Sequence, residues 1–144
     1  MTAKEYLNRP WKLNNEINDK LEKAARLRKD LYGRGVSYEN NGGSGANGSN
    51  DIIGKAIAKI VDFEHEADIM IDELVTLKID MEHQISLISD FRYRKILERR
   101  YLFFESFKAI ASLLGYSEKH IYRLHSEAIN ALEKILRTNA TKCE

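Results

Sequence analysis

Between Ser117 and Asn130 the sequence runs SEKHIYRLHSEAIN, and at helical spacing its residues separate by chemistry. Ile121, Leu124 and Ala128 fall on one side, while Lys119, Tyr122, Arg123 and Ser126 fall opposite, with Asn130 further along the same strip. A guanidinium can grip a guanine edge or a phosphate, an ammonium is a point charge for phosphate, and Tyr or Ser hydroxyls suit phosphate or base contacts. His120 lies on the flank of this strip, within reach of a phosphate, and His125 borders the apolar stripe as a core-edge residue. The strip Ser117, Lys119, His120, Tyr122, Arg123 and Ser126 is therefore the candidate site, and its chemistry is that of a polyanion reader. Catalytic arrangements are weaker everywhere else. His65, Glu66 and Asp68 occupy different faces of an acidic helical segment, and His83 stands alone. The single cysteine, Cys143, sits in a polar C-terminal stretch and has no zinc-like Cys/His spacing around it. The glycines near residue 45 are not followed by the Lys-Ser/Thr of a phosphate loop. No catalytic residue, metal or cofactor is expected.

A strip of this kind works only if the helix bearing it is held by others. Ser106 can cap a short helix over Phe107–Leu114, and Gly115 supplies the backbone freedom for a tight turn. Ser117 caps the next helix, with Glu118 in its first turn, where the macrodipole favours an acid. Ala111 is small where the two helices would cross, and Ile110, Leu114, Ile121 and Leu124 supply a core to fix the crossing. Upstream, Asp90–Leu102 reads as a helix with Tyr93, Ile96, Leu97 and Tyr101 on one face. Around its other faces lie Arg92, Arg94, Lys95 and Arg99, of which Arg99 joins the candidate nucleic-acid contacts.

The remainder of the chain is a scaffold. Thr2 and Glu5 have the spacing of a capping box, and an apolar helical pattern follows through Ile17, Leu21, Ala24, Leu27 and Leu31. Pro10 is expected to kink or restart that helix. Residues 33–50, with NNGGSGANGSN at their centre, read as a flexible Gly/Asn/Ser linker. From Asp51 to about Ser89, alternate steps of four and three connect Ile53, Ile57, Ile60, Glu64, Ala67, Ile71, Leu74, Lys78, Met81, Ile85 and Ile88, the period of a coiled-coil seam. Charge is segregated: residues 1–32 carry 8 Lys/Arg against 5 Asp/Glu, residues 51–89 carry 3 against 9, and residues 90–144 carry 11 against 7. A basic first helix folded back on an acidic second one gives an antiparallel pair, and the basic C-terminal segment faces a polyanion. The predicted architecture is all-α: residues 1–89 a long, coiled-coil-like antiparallel helical hairpin, 90–137 a helix-turn-helix domain, 138–144 a disordered tail. The second helix outruns the first, which leaves apolar stripe for a homodimer. No stretch has the length and apolarity of a membrane span, and the N-terminus lacks a signal-peptide core. A cytoplasmic location is expected.

Leu97 to Leu136 resembles region 4 of sigma-70-type factors, through Arg100-Tyr101, Ile110-Ala111, Leu114-Gly115, Ser117, Ala128 and Leu132. The whole chain is similar to small phage and prophage proteins of Gram-positive bacteria. These share a TAKEYL-like opening, a Gly/Ser-rich gap, an Ile-Gly-x-x-Ile-Ala-x-Ile-Val-Asp stretch (here Ile53 to Asp62) and the same C-terminal module. That group stands near late-gene transcription activators of the ArpU and RinA type. Lys108 and Ala109 depart from the pattern, since sigma region 4 usually carries two acids after its capping residue. The resemblance implies a sequence-specific regulator that binds double-stranded DNA, with RNA polymerase as a further candidate partner. Two other readings remain: a sigma-like accessory factor tethered to polymerase, and a non-catalytic coiled-coil adaptor.

Overall fold

In the computed structural model, which describes residues 2–33 and 46–142, all regular structure is helical. Helix α1 spans Ala3–Gly33 and α2 spans Ala46–Ser86, and the two pack as a long antiparallel pair. Then come α3 (Phe91–Leu97), a π-helical turn (Glu98–Leu102), α4 (Phe107–Leu114) and α5 (Glu118–Lys142).

The expected caps are formed. The Thr2 amide donates to Glu5 Oε2 at 3.1 Å and the Glu5 amide to Thr2 Oγ1 at 3.2 Å, so each residue satisfies an orphan donor of the other. Pro10 does not restart α1: the helix is continuous through it. Its ring is fully buried, as is Leu7, and that burial offsets the backbone bond which proline cannot make. Residues 34–45, the greater part of the expected linker, lie outside the described residues, but α2 begins at Ala46, ahead of the expected Asp51. At its far end α2 stops at Ser86, and Ile88 is buried from the loop that follows. At the C-terminus α5 runs to Lys142, so residues 138–142 are helical rather than a disordered tail. Among the described residues no helix is long and apolar enough to cross a membrane.

The chain divides into two compact units, Asn14–Glu73 and Met1–Leu13 together with Leu74–Glu144. This boundary differs from the expected break at residue 90. In the larger unit Ala3, Tyr6 and Leu7 from α1 and Met81 and Ile85 from α2 share a core with Leu97, Tyr101, Leu102, Ala128 and Leu132. The first turns of α1 and the last turns of α2 are thus part of the C-terminal module. Polar contacts seal the same junction. The Ala3 amide donates to Glu133 Oε2 at 3.2 Å, the Tyr6 hydroxyl to Asp80, and Asn139 Nδ2 to Gln84 Oε1 at 2.6 Å. Burial and the Asp80 carboxylate hold the Tyr6 phenol well above its usual range, so it stays protonated and keeps donating.

The smaller unit is the paired mid-sections of α1 and α2. Ile17 and Ala24 of α1 and Ile60 and Ala67 of α2 are buried. Lys20 Nζ lies 2.8 Å from Glu66 Oε2, and Arg28 pairs with Glu64, so the basic and acidic helices do meet as their charges direct.

Candidate nucleic-acid interface

The helix that carries the candidate strip is fixed by the residues around it. Ser106 Oγ accepts from the Ala109 amide at 3.1 Å and starts α4. Gly115 closes α4 in the left-handed region at φ 75°, with its amide donating to the Ala111 carbonyl at 2.9 Å. Two residues later Ser117 Oγ accepts from the His120 amide at 3.2 Å and α5 begins. Between α3, α4 and α5 lies a compact core of Ile96, Ile110, Ala111, Ile121 and Leu124, with Tyr93, Phe107 and Leu114 packed on it. Further along α5, Ala128 and Leu132 enter the other core of this unit. One face of α5 is therefore anchored for four successive buried positions, from Ile121 to Leu132, and its roll about its own axis is set.

The opposite face bears the strip. Lys119, Tyr122, Arg123, Ser126 and Asn130 are all exposed, with Tyr122 at 50%. Its members are organised by neighbours. Arg123 Nη2 lies 3.1 Å from His120 Nδ1, and the His120 ring stands edge-on to Tyr116 with centroids 4.7 Å apart. His120 is half-buried, so a phosphate contact from it is secondary to this relay from the turn to Arg123. The Tyr122 ring rests on Phe107 with centroids 4.9 Å apart. Ser126 Oγ donates to the Tyr122 carbonyl at 3.2 Å, and the hydroxyl of Ser117 is committed as the cap. Of the predicted strip, Lys119, Tyr122 and Arg123 present the most available polar groups.

Behind the strip is an aromatic cluster that sequence reading only touched. His125 Nε2 lies 2.6 Å from the Tyr101 hydroxyl, and its ring stands edge-on to Phe107 at 4.9 Å. The Arg100 guanidinium covers the same Phe107 ring at 4.3 Å and donates to the Glu105 carbonyl at 3.1 Å. Burial first, and then the nearby charges of Arg100 and Lys4, lower the His125 pKa from 6.5 to about 4. The residue is neutral at physiological pH and structural, as its place at the core edge predicts.

The basic run upstream is mostly consumed by the fold. Arg92 Nη2 pairs with Asp90 Oδ2 at 3.0 Å, holding that carboxyl below its usual range, while Asp90 Oδ1 caps α3 by accepting from the Arg92 amide. Arg94 Nη1 donates to the carbonyls of Ile88 and Ser89 at 2.6 and 3.0 Å, groups of the loop between α2 and α3. Arg99, expected among the nucleic-acid contacts, has Nη1 3.1 Å from Glu105 Oε1 and its guanidinium over Phe103 at 5.4 Å. It serves first to close the turn between the π-helical segment and α4. That turn is also where Phe104 takes a positive φ of 56°, with the Lys78 ammonium 4.5 Å from its ring centre.

Compared with protein-family models, with curated proteins and with solved structures, the chain finds no match.

Proposed function

We propose that this protein is a transcription regulator that binds double-stranded DNA sequence-specifically, with the N-terminal half of α5 as the recognition helix of a helix-turn-helix and α4 as the helix that crosses the backbone. The observation that carries this reading is the combination on α5 of an anchored face and a polar strip. Ile121, Leu124, Ala128 and Leu132 are buried, while Lys119, Tyr122 and Arg123 project opposite them. A helix entering a major groove needs both, since base edges are read only by side chains whose helix cannot roll. Lys119 and Arg123 are assigned the base or phosphate contacts, with Tyr122, Ser126, Ser117 and His120 beside them and Arg99 in support of the turn. The resemblance of Leu97–Leu136 to sigma region 4, and of the chain to phage regulators of late genes, gives the same assignment. No chemical step, cofactor or metal belongs to it, and DNA as the partner places the protein in the bacterial cytoplasm.

A second reading, a sigma-like factor tethered to RNA polymerase, draws support from the upstream arginines. With Arg92, Arg94, Arg99 and Arg100 all engaged within the fold, fewer cations remain for phosphates, and low intrinsic affinity would favour a tethered mode. Selection of bound sequences from a pool of random duplexes, followed by footprinting with and without polymerase, separates the two. The independent regulator enriches a motif and protects it alone. Protection that appears only when polymerase is present supports the tethered factor, and no enrichment in either case refutes both.

A further inference from the structure

The Arg123 guanidinium meets an acceptor that carries no negative charge. Its Nη2 lies 3.1 Å from His120 Nδ1, one helical turn back on α5. A guanidinium has five N–H donors and no acceptor, so Nη2 donates, Nδ1 accepts, and the imidazole keeps its proton on Nε2. The ring is held in turn. His120 is half-buried, and its ring stands at 67° to that of Tyr116 with centroids 4.7 Å apart. Tyr116 belongs to the turn between α4 and α5, where its amide donates to the Ala111 carbonyl at 3.0 Å. Glu127, at the spacing of a helical ion pair with Arg123, accepts instead from the Tyr93 hydroxyl at 2.7 Å. Among the described residues no carboxylate pairs with the Arg123 guanidinium, in contrast to those of Arg92 and Arg99.

We infer that His120 is a positioning residue for DNA binding: through Nδ1 it fixes the orientation of the Arg123 guanidinium before the duplex arrives, and it acts through Arg123 alone. This rests on the reading of α5 as the recognition helix and states how its principal side chain is prepared. The chemistry of the acceptor matters. A carboxylate in that place would order Arg123 and also offset its charge, which would weaken its attraction for phosphate or a guanine edge. An unprotonated imidazole nitrogen orders the guanidinium and leaves its positive charge whole. One bond to Nη2 does not exhaust the fork. If His120 takes the Nη2 hydrogen on the Nε side, the pair between Nη1 and Nη2 stays open; if it takes the other, the Nε–Nη2 pair does. Either edge is a two-donor grip that matches guanine O6 and N7 or a phosphate. A long side chain already ordered in the free protein loses less rotamer freedom on binding than one ordered by the contact itself.

A double-mutant cycle on the full-length protein tests it, with a duplex enriched from a random pool as the probe. Arg123→Ala alone checks the underlying reading and should weaken binding at least about fivefold. His120→Ala should weaken it roughly three- to tenfold, the range for ordering one rotamer-rich side chain at an interface, and should have no further effect in the Arg123→Ala background. His120→Asn, whose side-chain carbonyl can accept in place of Nδ1, should recover most of that loss. If no duplex is enriched, or Arg123→Ala binds as the wild type does, the recognition face fails and the inference with it. If Arg123→Ala weakens binding but His120→Ala costs the same in both backgrounds, only the inference falls, because His120 then acts independently of Arg123. A His120→Ala variant that binds like the wild type overturns it as well. So does a His120→Asn variant no better than His120→Ala, since the ring's packing and not its acceptor would then be responsible.

Discussion

His125 shows what a single side chain can contribute beneath the exposed strip of α5. It joins the Tyr101 hydroxyl to the Phe107 ring, on which Tyr122 also rests, and burial there disfavours its charged form. The folded-state pKa of about 4 is lower than the ordinary 6.5, so between these values the unfolded chain binds a proton that the folded one does not. The stability it provides is fully present above about pH 6.5 and is lost as pH falls toward 4. Thermal melts across this window should therefore show a falling midpoint for the wild type, and His125→Gln should flatten that slope. A slope unchanged in His125→Gln would assign the acid sensitivity to other groups. His125 was placed at the core edge from its position beside Leu124 and Ala128, since helical spacing alone sets that. The roles of Arg94 and Arg99 were not legible in the same way. Their partners are the carbonyls of Ile88 and Ser89 and the carboxylate of Glu105, groups brought near by turns that carry no sequence period.

The helices owe their ends to local chemistry and their places to distant contacts. Thr2 with Glu5, Ser106, Gly115 and Ser117 act within a turn of where they stand, so each was readable from residue type and spacing. The continuity of α1 through Pro10 was not, because it depends on burial of that ring against the rest of the unit. Nor was the unit boundary. Ala3, Tyr6 and Leu7 join Ala128 and Leu132 in one core across most of the chain length, and such a contact leaves no mark on either segment's own periodicity. The π-helical turn at Glu98–Leu102 adds to this core by burying both Tyr101 and Leu102. A fragment of residues 90–144 consequently loses Tyr6, Leu7, Met81, Ile85 and Ile88 as partners. At roughly 1.5–3 kcal/mol for each large apolar side chain that is no longer covered, the loss rivals the whole stability of a small domain. Circular dichroism of that fragment should show reduced helicity and no cooperative melt. A sharp transition at the full-length midpoint would mean that the second core, around Ile96 and Ile121, suffices by itself.

At the scale of the whole molecule, charge is divided by task. The acidic stretch of α2 is spent on α1, through Lys20–Glu66 and Arg28–Glu64, and the basic C-terminal segment keeps Lys119 and Arg123 at its surface. A near-neutral total of +1 hides this, whereas the segment-by-segment charges reveal it. The central claim is that the exposed strip of α5 reads DNA, and it meets its most direct test in the affinity of full-length protein for a selected duplex, measured at two salt concentrations. Wild-type binding should fall steeply with salt, as phosphate contacts release counterions. Lys119→Ala and Arg123→Ala should each weaken it by about 1–3 kcal/mol where the residue reads a base, with the circular dichroism spectrum unchanged. A double variant that binds as tightly as the wild type, with the same salt slope, would contradict the account.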